Sequence, residues 1–314
     1  MRLEQLEYVV AVTRYGSLRK ASEHLHVSQP ALSEAVGKLE RELGLPLLDR
    51  RRTGSRISRA GRELLPHMVD VLESVDRLRT AAGDQGVTGR VLRIGTVNGA
   101  TSTVLVPAIK ALRAHQPETS VEVLPLQQHE IHGGLLDGGL DLGLVNLLAD
   151  DAVPTDLTST VLLHGRPVAV LPPSHALTQH DALTADQLRT ERFILMRSGY
   201  LMHRVANRLF GSDLPQQAHS TDGADLGKLM VADGLGITLL PDFSVVGDPL
   251  HTAGLVTTRP LRGDRTAVRL VLQHRHHQLS APVRDLVLCL QAEASRGARA
   301  TTQASQPAST QPNG

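Results

Sequence analysis

The sequence has no tryptophan, and aromatic residues make up 2 % of its 314 positions. That scarcity argues against a binder of single-stranded nucleic acid, which stacks bases on aromatic platforms. There is one cysteine, Cys289. A single thiol forms no intrachain disulfide, builds no thiolate cage for zinc and has no second thiol to resolve an oxidised state. Its neighbours Val283, Leu286, Val287 and Leu290 recur at helical spacing, which predicts a packed helix residue rather than a reactive one. No apolar run approaches the ~20 residues of a membrane span. The opening MRLEQLEYVV sets acidic residues among its apolar ones, unlike a signal peptide. A soluble cytoplasmic protein without membrane contact is expected. Excess charge is missing too. The formal net charge is +1, so any nucleic-acid contact must come from a local patch. The catalytic and nucleotide motifs GxGxxG after a strand, GxxxxGK[ST] and HExxH are absent. His274, His276 and His277 form an HRHH cluster with no carboxylate or cysteine at ligand spacing. It reads as the exposed end of a strand, and no metal or other cofactor is expected.

What is present suffices for two domains or three small ones, with 41 % hydrophobic residues to fill their cores. Residues 1 to about 60 read as short helices and a basic hairpin. Leu3, Leu6, Val9 and Val10 mark one helix face. Ser17 can cap a second helix that buries Leu18, Ala21 and Leu25. Ser28 can cap a third that buries Leu32, Ala35, Val36, Leu39 and Leu43. Pro30 falls in its first turn, where the missing N–H costs nothing, and Gly44 and Pro46 close it. A turn of two or three residues between the last two helices fits a helix-turn-helix, whose second helix enters the major groove by its N-terminal end. Outside its buried stripe that helix presents Gln29, Ser33, Glu34, Gly37, Lys38 and Arg41. Gln can bond adenine bidentately, Ser either base type, and Glu the cytosine amino group. A plain three-helix bundle would show the same periodicity, but the hairpin tips the balance. Its tip carries Arg50, Arg51 and Arg52 before Thr53-Gly54, with Arg56 after. Across residues 1–60, eleven Lys and Arg against seven Asp and Glu give +4, in a chain whose total is +1. Cationic turns beside a groove suit phosphate contact.

From Ser58 a long helix runs to about Ala82. Leu64, Met68, Val71, Val75 and Leu78 are spaced four, three, four, three, the heptad stripe of a helix that pairs with another. Pro66 should bend it near its start. Gly83, Gly86 and Gly89 mark a flexible joint. Beyond the joint, apolar strands alternate with helical patterns, which predicts α/β folding with largely parallel sheets. A last helix ends near Ser295, and the tail at 296–314 has the composition of a disordered segment.

The stretch SLRKASEHLHVSQPALSEAVGKLERELGLPLLDRR with SRAGRELLP resembles the N-terminal signature of LysR-type transcriptional regulators. LRIG with VP, LLDGGLDLGLV and VADGLGITLLP resemble the effector domain of the same family, so the likeness covers about residues 1–294. It implies an N-terminal all-α winged helix-turn-helix at 1–58 and a dimerising linker helix and hinge at 59–89. It implies a C-terminal α/β effector domain at 90–295, two-lobed like a periplasmic binding protein. Lobe 1 spans about 90–162 and 266–295, and lobe 2 about 163–265. The resemblance also implies a homodimer or homotetramer on double-stranded operator DNA, with a small inducer between the lobes and RNA polymerase open as a further partner. By motif match, Ser28, Gln29, Pro30 and Ser33 fall where relatives read bases, and the arginines of Arg50–Arg56 fall on the wing. The chain departs from the pattern at Glu34, Ala35 and Gly37, where many relatives carry a long polar residue. Leu48 stands where an aromatic is usual.

In the effector domain the resemblance and the residues point to one cleft. Asn98, Thr101, Ser102 and Thr103 follow the first strand and open a helix, whose free N–H groups and hydroxyls make a natural carboxylate seat. Gln128 follows the next strand. From the second lobe come Arg197, Ser198, Gly199 and Tyr200, and Thr221 and Asp222 ahead of ADLGKLM. Arg197 would add a cation, so an anionic inducer is expected unless Asp222 neutralises it. The competing reading is an enzyme or solute-binding α/β protein with a helical accessory domain, and no catalytic constellation supports it.

Overall fold

A computed structural model describes residues 1–51, 54–81, 91–276 and 279–304. Three helices open the chain: α1 (Leu3–Tyr15), α2 (Leu18–His24) and α3 (Gln29–Leu43). Their ends are set by the sequence. Ser17 Oγ accepts from the Lys20 N–H at 3.2 Å, and Ser28 Oγ accepts from the Ala31 N–H at 3.3 Å. Gly16 and Gly44 take the left-handed conformation that terminates α1 and α3. His26 turns the chain between α2 and α3 with a φ of 54°. The hairpin strands β1 (Leu48–Arg51) and β2 (Gly54–Ile57) pair antiparallel. The long helix α4 (Arg59–Ala81) follows and runs on through Pro66.

Leu6, Val9, Val12, Ala21, Leu32, Val36, Leu39 and Leu47 form the core of this unit, joined from α4 by Leu65 and Met68. Gly61 lets α4 approach, because a Cβ there would sit 2.3 Å from the Leu47 carbonyl oxygen. Two expectations need correction. Leu43, the last residue of α3, is exposed, because the chain turns away at Gly44. Met68, expected on an intermolecular seam, is buried against its own N-terminal helices. On the same stripe Leu64 is half-buried there, while Val71 and Leu78 are exposed.

Two further bodies follow. The first is built on β3 (Val91–Thr96), α5 (Val106–His115), β4 (Ser120–Pro125), α6 (Gln128–Leu136), β5 (Leu142–Leu148) and β6 (Leu157–Gly165). The second holds β7 (Pro167–Leu171), α7 (Ala185–Arg189), β8 (Phe193–Met196), α8 (Leu201–Phe210), β9 (Gln217–Thr221), α9 (Ala224–Ala232), β10 (Thr238–Pro241), α10 (Pro249–Thr252) and β11 (Thr257–Pro260). The chain then returns through β12 (Val268–Arg275) to the first body and ends in α11 (Ala281–Ala304), which packs on α5.

The sheets are mixed rather than largely parallel. In the order β4-β3-β5-β12-β6, β3 is parallel to β4 and β5, while β12 is antiparallel to both its neighbours. The reason is the double crossing between bodies. β6 leaves at Gly165, and β12 re-enters opposite that residue at Val268. Strands that exit and return through one hinge must run in opposite directions. In the second body β7 pairs antiparallel with β10 and β11, and β8 and β9 are parallel. α11 also corrects the sequence reading. It continues through residues 296–304, where three Ala and two Arg favour the helix. Cys289 is half-buried against the core, and burial foremost raises its thiol pKa.

Candidate functional site

The N-terminal unit presents one face for contact. Ser28, Gln29, Pro30, Glu34 and Lys38 are exposed on α3, and Ser33 is half-exposed. Glu34 and Lys38 hold each other at 2.8 Å, one turn apart, and that hydrogen bond is the main reason the Glu34 pKa is lowered. Gln29 and Ser33 take no part in that pair. Arg56 is exposed on β2. Arg52, and the side chains of Arg50 and Arg51, lie outside the described residues.

The two α/β bodies meet at a narrow cleft whose interior space is about 20 Å³, room for one water molecule. The first body contributes Val97, Asn98, Gln128 and Asn146, and the second contributes Gly199, Tyr200 and the opening residues of α8 and α9. Asn98 adopts a left-handed φ of 56°, unusual for a residue with a side chain, and its N–H donates to Thr96 Oγ1 at 3.0 Å. Two glycines let the walls close. A Cβ on Gly199 would meet the Gln127 amide at 2.3 Å, and one on Gly223 would meet Asn98 Nδ2 at 2.9 Å. Both take positive φ, 98° and 76°. Burial foremost, then the Asp222 charge, raises the Tyr200 pKa, so its phenol stays protonated at neutral pH.

Of the residues singled out from sequence for this cleft, Asn98, Gln128, Gly199 and Tyr200 line it. The others do different work. Residues Thr101–Leu105 form a π-helical turn before α5. That turn is bonded across the gap: Ser102 Oγ donates to Asp248 at 2.5 Å, and Thr103 Oγ1 to the Phe243 carbonyl at 3.3 Å. Ser102 and Thr103 are thus struts between the bodies. The Thr101 and Thr221 hydroxyls are buried with no protein partner. Arg197 pairs with Asp222 at 2.5 Å, so the expected cation is already neutralised. The Ser198 carbonyl accepts from Gln127 Nε2 at 3.4 Å, and its side chain is exposed.

Sequence reasoning missed the polar groups that matter most. Lys228 of α9 is 2 % exposed; its Nζ donates to Asp248 at 2.5 Å and to the Ser244 carbonyl at 3.0 Å, and lies 3.1 Å from Asp225. Ser244 in turn donates to the Gly99 carbonyl. On the other flank, Arg204 of α8 grips Asp151 through two bonds of 2.7 and 3.0 Å, and Arg208 reaches Asp150 at 3.4 Å. Lys228 could have been noticed as the lone cation in ADLGKLM, and Asn146 as the lone amide in LGLVNLL. The HRHH histidines are otherwise engaged. His276 bonds Thr158 Oγ1 and the Thr155 carbonyl, and His277 lies outside the described residues. Among the described residues no group of three or more His, Cys, Asp or Glu is placed to hold a metal ion, and no helix is long and apolar enough to cross a membrane.

Comparison with known proteins covers most of the chain. Residues 3–62 match the family described as bacterial regulatory helix-turn-helix protein, lysR family, and residues 85–295 match the LysR substrate binding domain. The Hca operon transcriptional activator HcaR of Escherichia coli is 27 % identical over 93 % of this chain and 97 % of its own. A probable HTH-type transcriptional regulator, LrrA of Synechococcus elongatus, is 30 % identical over 83 % of this chain and 88 % of its own. Among solved structures, full-length OxyR from Pseudomonas aeruginosa superposes with a TM-score of 0.69 at 23 % identity, covering 94 % of each chain.

Proposed function

The chain belongs to the LysR family of DNA-binding transcription regulators, which carry an effector-binding domain and are not enzymes, and we propose that the Gln29 end of α3 reads the operator while the cleft between the α/β bodies holds the inducer. The observation that carries the second half is convergence. Asn98 and Gln128 from one body meet the first turns of α8 and α9 from the other in a single cleft. A ligand touching both walls has different affinity for open and closed states, and so shifts their populations.

The inducer we propose is small and bears a carboxylate. With Arg197 held by Asp222, the groups left for an anion are backbone N–H donors. Tyr200 and Gly223 cap α8 and α9 without a side-chain bond; the His203 N–H turns back to the Tyr200 carbonyl at 3.2 Å, which leaves the Leu201, Met202 and Ala224 N–H groups to face a ligand. Phosphate contact falls to Arg50, Arg51, Arg52 and Arg56, with Ser28, Pro30, Ser33, Glu34 and Lys38 around Gln29. A homodimer or homotetramer forms through the outward part of α4, at exposed Val71 and Leu78 with half-buried Val75 between them, and presents two such units to the DNA.

A gel shift on the DNA upstream of the protein's own coding sequence tests the reading. Gln29→Ala is expected to weaken binding there by ~1–3 kcal/mol and to leave binding to random duplex nearly unchanged. Equal loss on both DNAs would show that α3 does not read bases.

A further inference from the structure

All seven positions of β5, LGLVNLL, are buried, and six of them are apolar or glycine. The seventh is Asn146, 7 % exposed, and its Oδ1 has no hydrogen-bond partner in the protein. Folded proteins match nearly all of their buried polar atoms, so an amide kept unmatched in an apolar strand calls for a cause. The surroundings keep room for it. A Cβ on Gly99 would lie 2.7 Å from Asn146 Oδ1 and 2.9 Å from Nδ2, so any other residue there would push the amide aside. The side chain lines the interlobe cleft.

The second body offers the complementary chemistry. The opening residues of α8, Leu201 and Met202, and Ala224 of α9 line the same cleft, and neither helix has a side-chain cap. Leading N–H groups are donors only, so they take an acceptor oxygen. Asn146 Oδ1 is an acceptor only, so it takes a donor. Between them Met196 and Leu240 supply apolar wall. A ligand that satisfies all three carries an acceptor oxygen, a hydrocarbon body and a hydrogen-bond donor, which an O–H group supplies without adding charge.

We infer that Asn146 is the specificity-determining residue of the cleft and that the inducer is a hydroxylated carboxylic acid, its carboxylate on the first turns of α8 and α9 and its hydroxyl donating to Asn146 Oδ1. This rests on the reading of the cleft as the inducer site. A compound lacking the hydroxyl buries the amide unmatched, and sites of this kind reject such analogues strongly.

Calorimetry on the full-length protein tests it with matched pairs: 3-hydroxybutyrate against butyrate, and 4-hydroxyphenylacetate against phenylacetate. The wild type is expected to bind at least one hydroxylated member about tenfold more tightly than its partner. In Asn146→Leu the ratio should fall to about one, with the affinity of the unhydroxylated acid kept. A wild type without that preference, or a preference that survives in Asn146→Leu, overturns the assignment of Asn146 and leaves the cleft standing. Gly223→Val, which crowds Asn98, should abolish binding of every probe. Undiminished binding there means that the acids sit elsewhere and the cleft reading itself fails. If no probe binds the wild type, melting without ligand decides. Asn146→Leu removes an unmatched amide from an apolar strand and is expected to hold or raise Tm. A fall of more than about 3 °C makes the amide a structural partner and overturns the inference.

Discussion

Lys228 and Asp248 are among the most deeply buried charged groups described, 2 % and 4 % exposed, and each makes the other tolerable. A lone ammonium at that depth would shed its proton or unfold its surroundings. Lys228→Met strips Asp248 of its cation and should cost about 3–5 kcal/mol in urea unfolding. Adding Asp248→Leu removes the stranded charge and should recover much of that loss. Acid acts on the same bridge. Burial opposes ionisation of Asp248, but hydrogen bonds from Lys228 and Ser102 outweigh it and hold the carboxyl below its usual pKa. Asp151 is similar: burial opposes, and the Arg204 and Leu148 hydrogen bonds win. When the folded pKa is the lower one, the unfolded chain binds protons more readily. The stabilisation is then complete above the unfolded value, about 4, and is lost as pH falls through the folded pKa. Urea midpoints should therefore drop as pH falls below about 4, and Asp151→Asn should flatten that slope. A slope unchanged in Asp151→Asn would place the titration elsewhere.

At the scale of elements, α4 carries a buried half and an exposed half along one helix. Leu65 and Met68 belong to the N-terminal core, and Val71 and Leu78 face outward. The two halves should answer differently to the same substitution. Met68→Asp buries an unpaired charge and is expected to unfold the N-terminal unit, seen as lost helicity. Val71→Asp with Leu78→Asp should keep helicity and reduce the oligomer, measured by light scattering. An unchanged mass would remove α4 from the association. For α3, Ser28 supplies the cap to the Ala31 N–H. Ser28→Ala is expected to cost ~1 kcal/mol of stability, apart from any effect on DNA.

Across the whole molecule, α6 spans from cleft to DNA-binding unit. Gln128 at its start lines the cleft, and Gly138 just past its end touches the N-terminal unit. There Arg14 donates to the Gly138 carbonyl at 2.6 Å, and a Cβ on Gly138 would lie 2.7 Å from Val69 Cγ1 of α4. A nine-residue helix is about 13 Å of rigid rod at ~1.5 Å per residue, so motion at one end reaches the other. Arg14→Ala should loosen this contact. Hydrogen exchange is expected to quicken at residues 137–139 and to stay unchanged in β5 and β12. Equal protection in both proteins would mean that Val69 alone holds the contact.

The sequence by itself determined the local structure: caps at Ser17 and Ser28, glycine stops at Gly16 and Gly44, the basic hairpin and the order of strands and helices. These depend on neighbours within a few residues, where periodicity and capping chemistry act. It also brought Asn98, Gln128 and Tyr200 to the right loops, because turns after strands gather at one edge of an α/β sheet. Only the tertiary structure decided which polar groups meet. Ser102 faces Asp248 and Lys228 across 146 and 126 positions of chain, and the pairing depends on how the two bodies close. The direction of β12, the inward turn of Met68 and the unmatched amide of Asn146 are likewise long-range outcomes. Each is set by what packs opposite the residue, and a linear pattern carries no record of that.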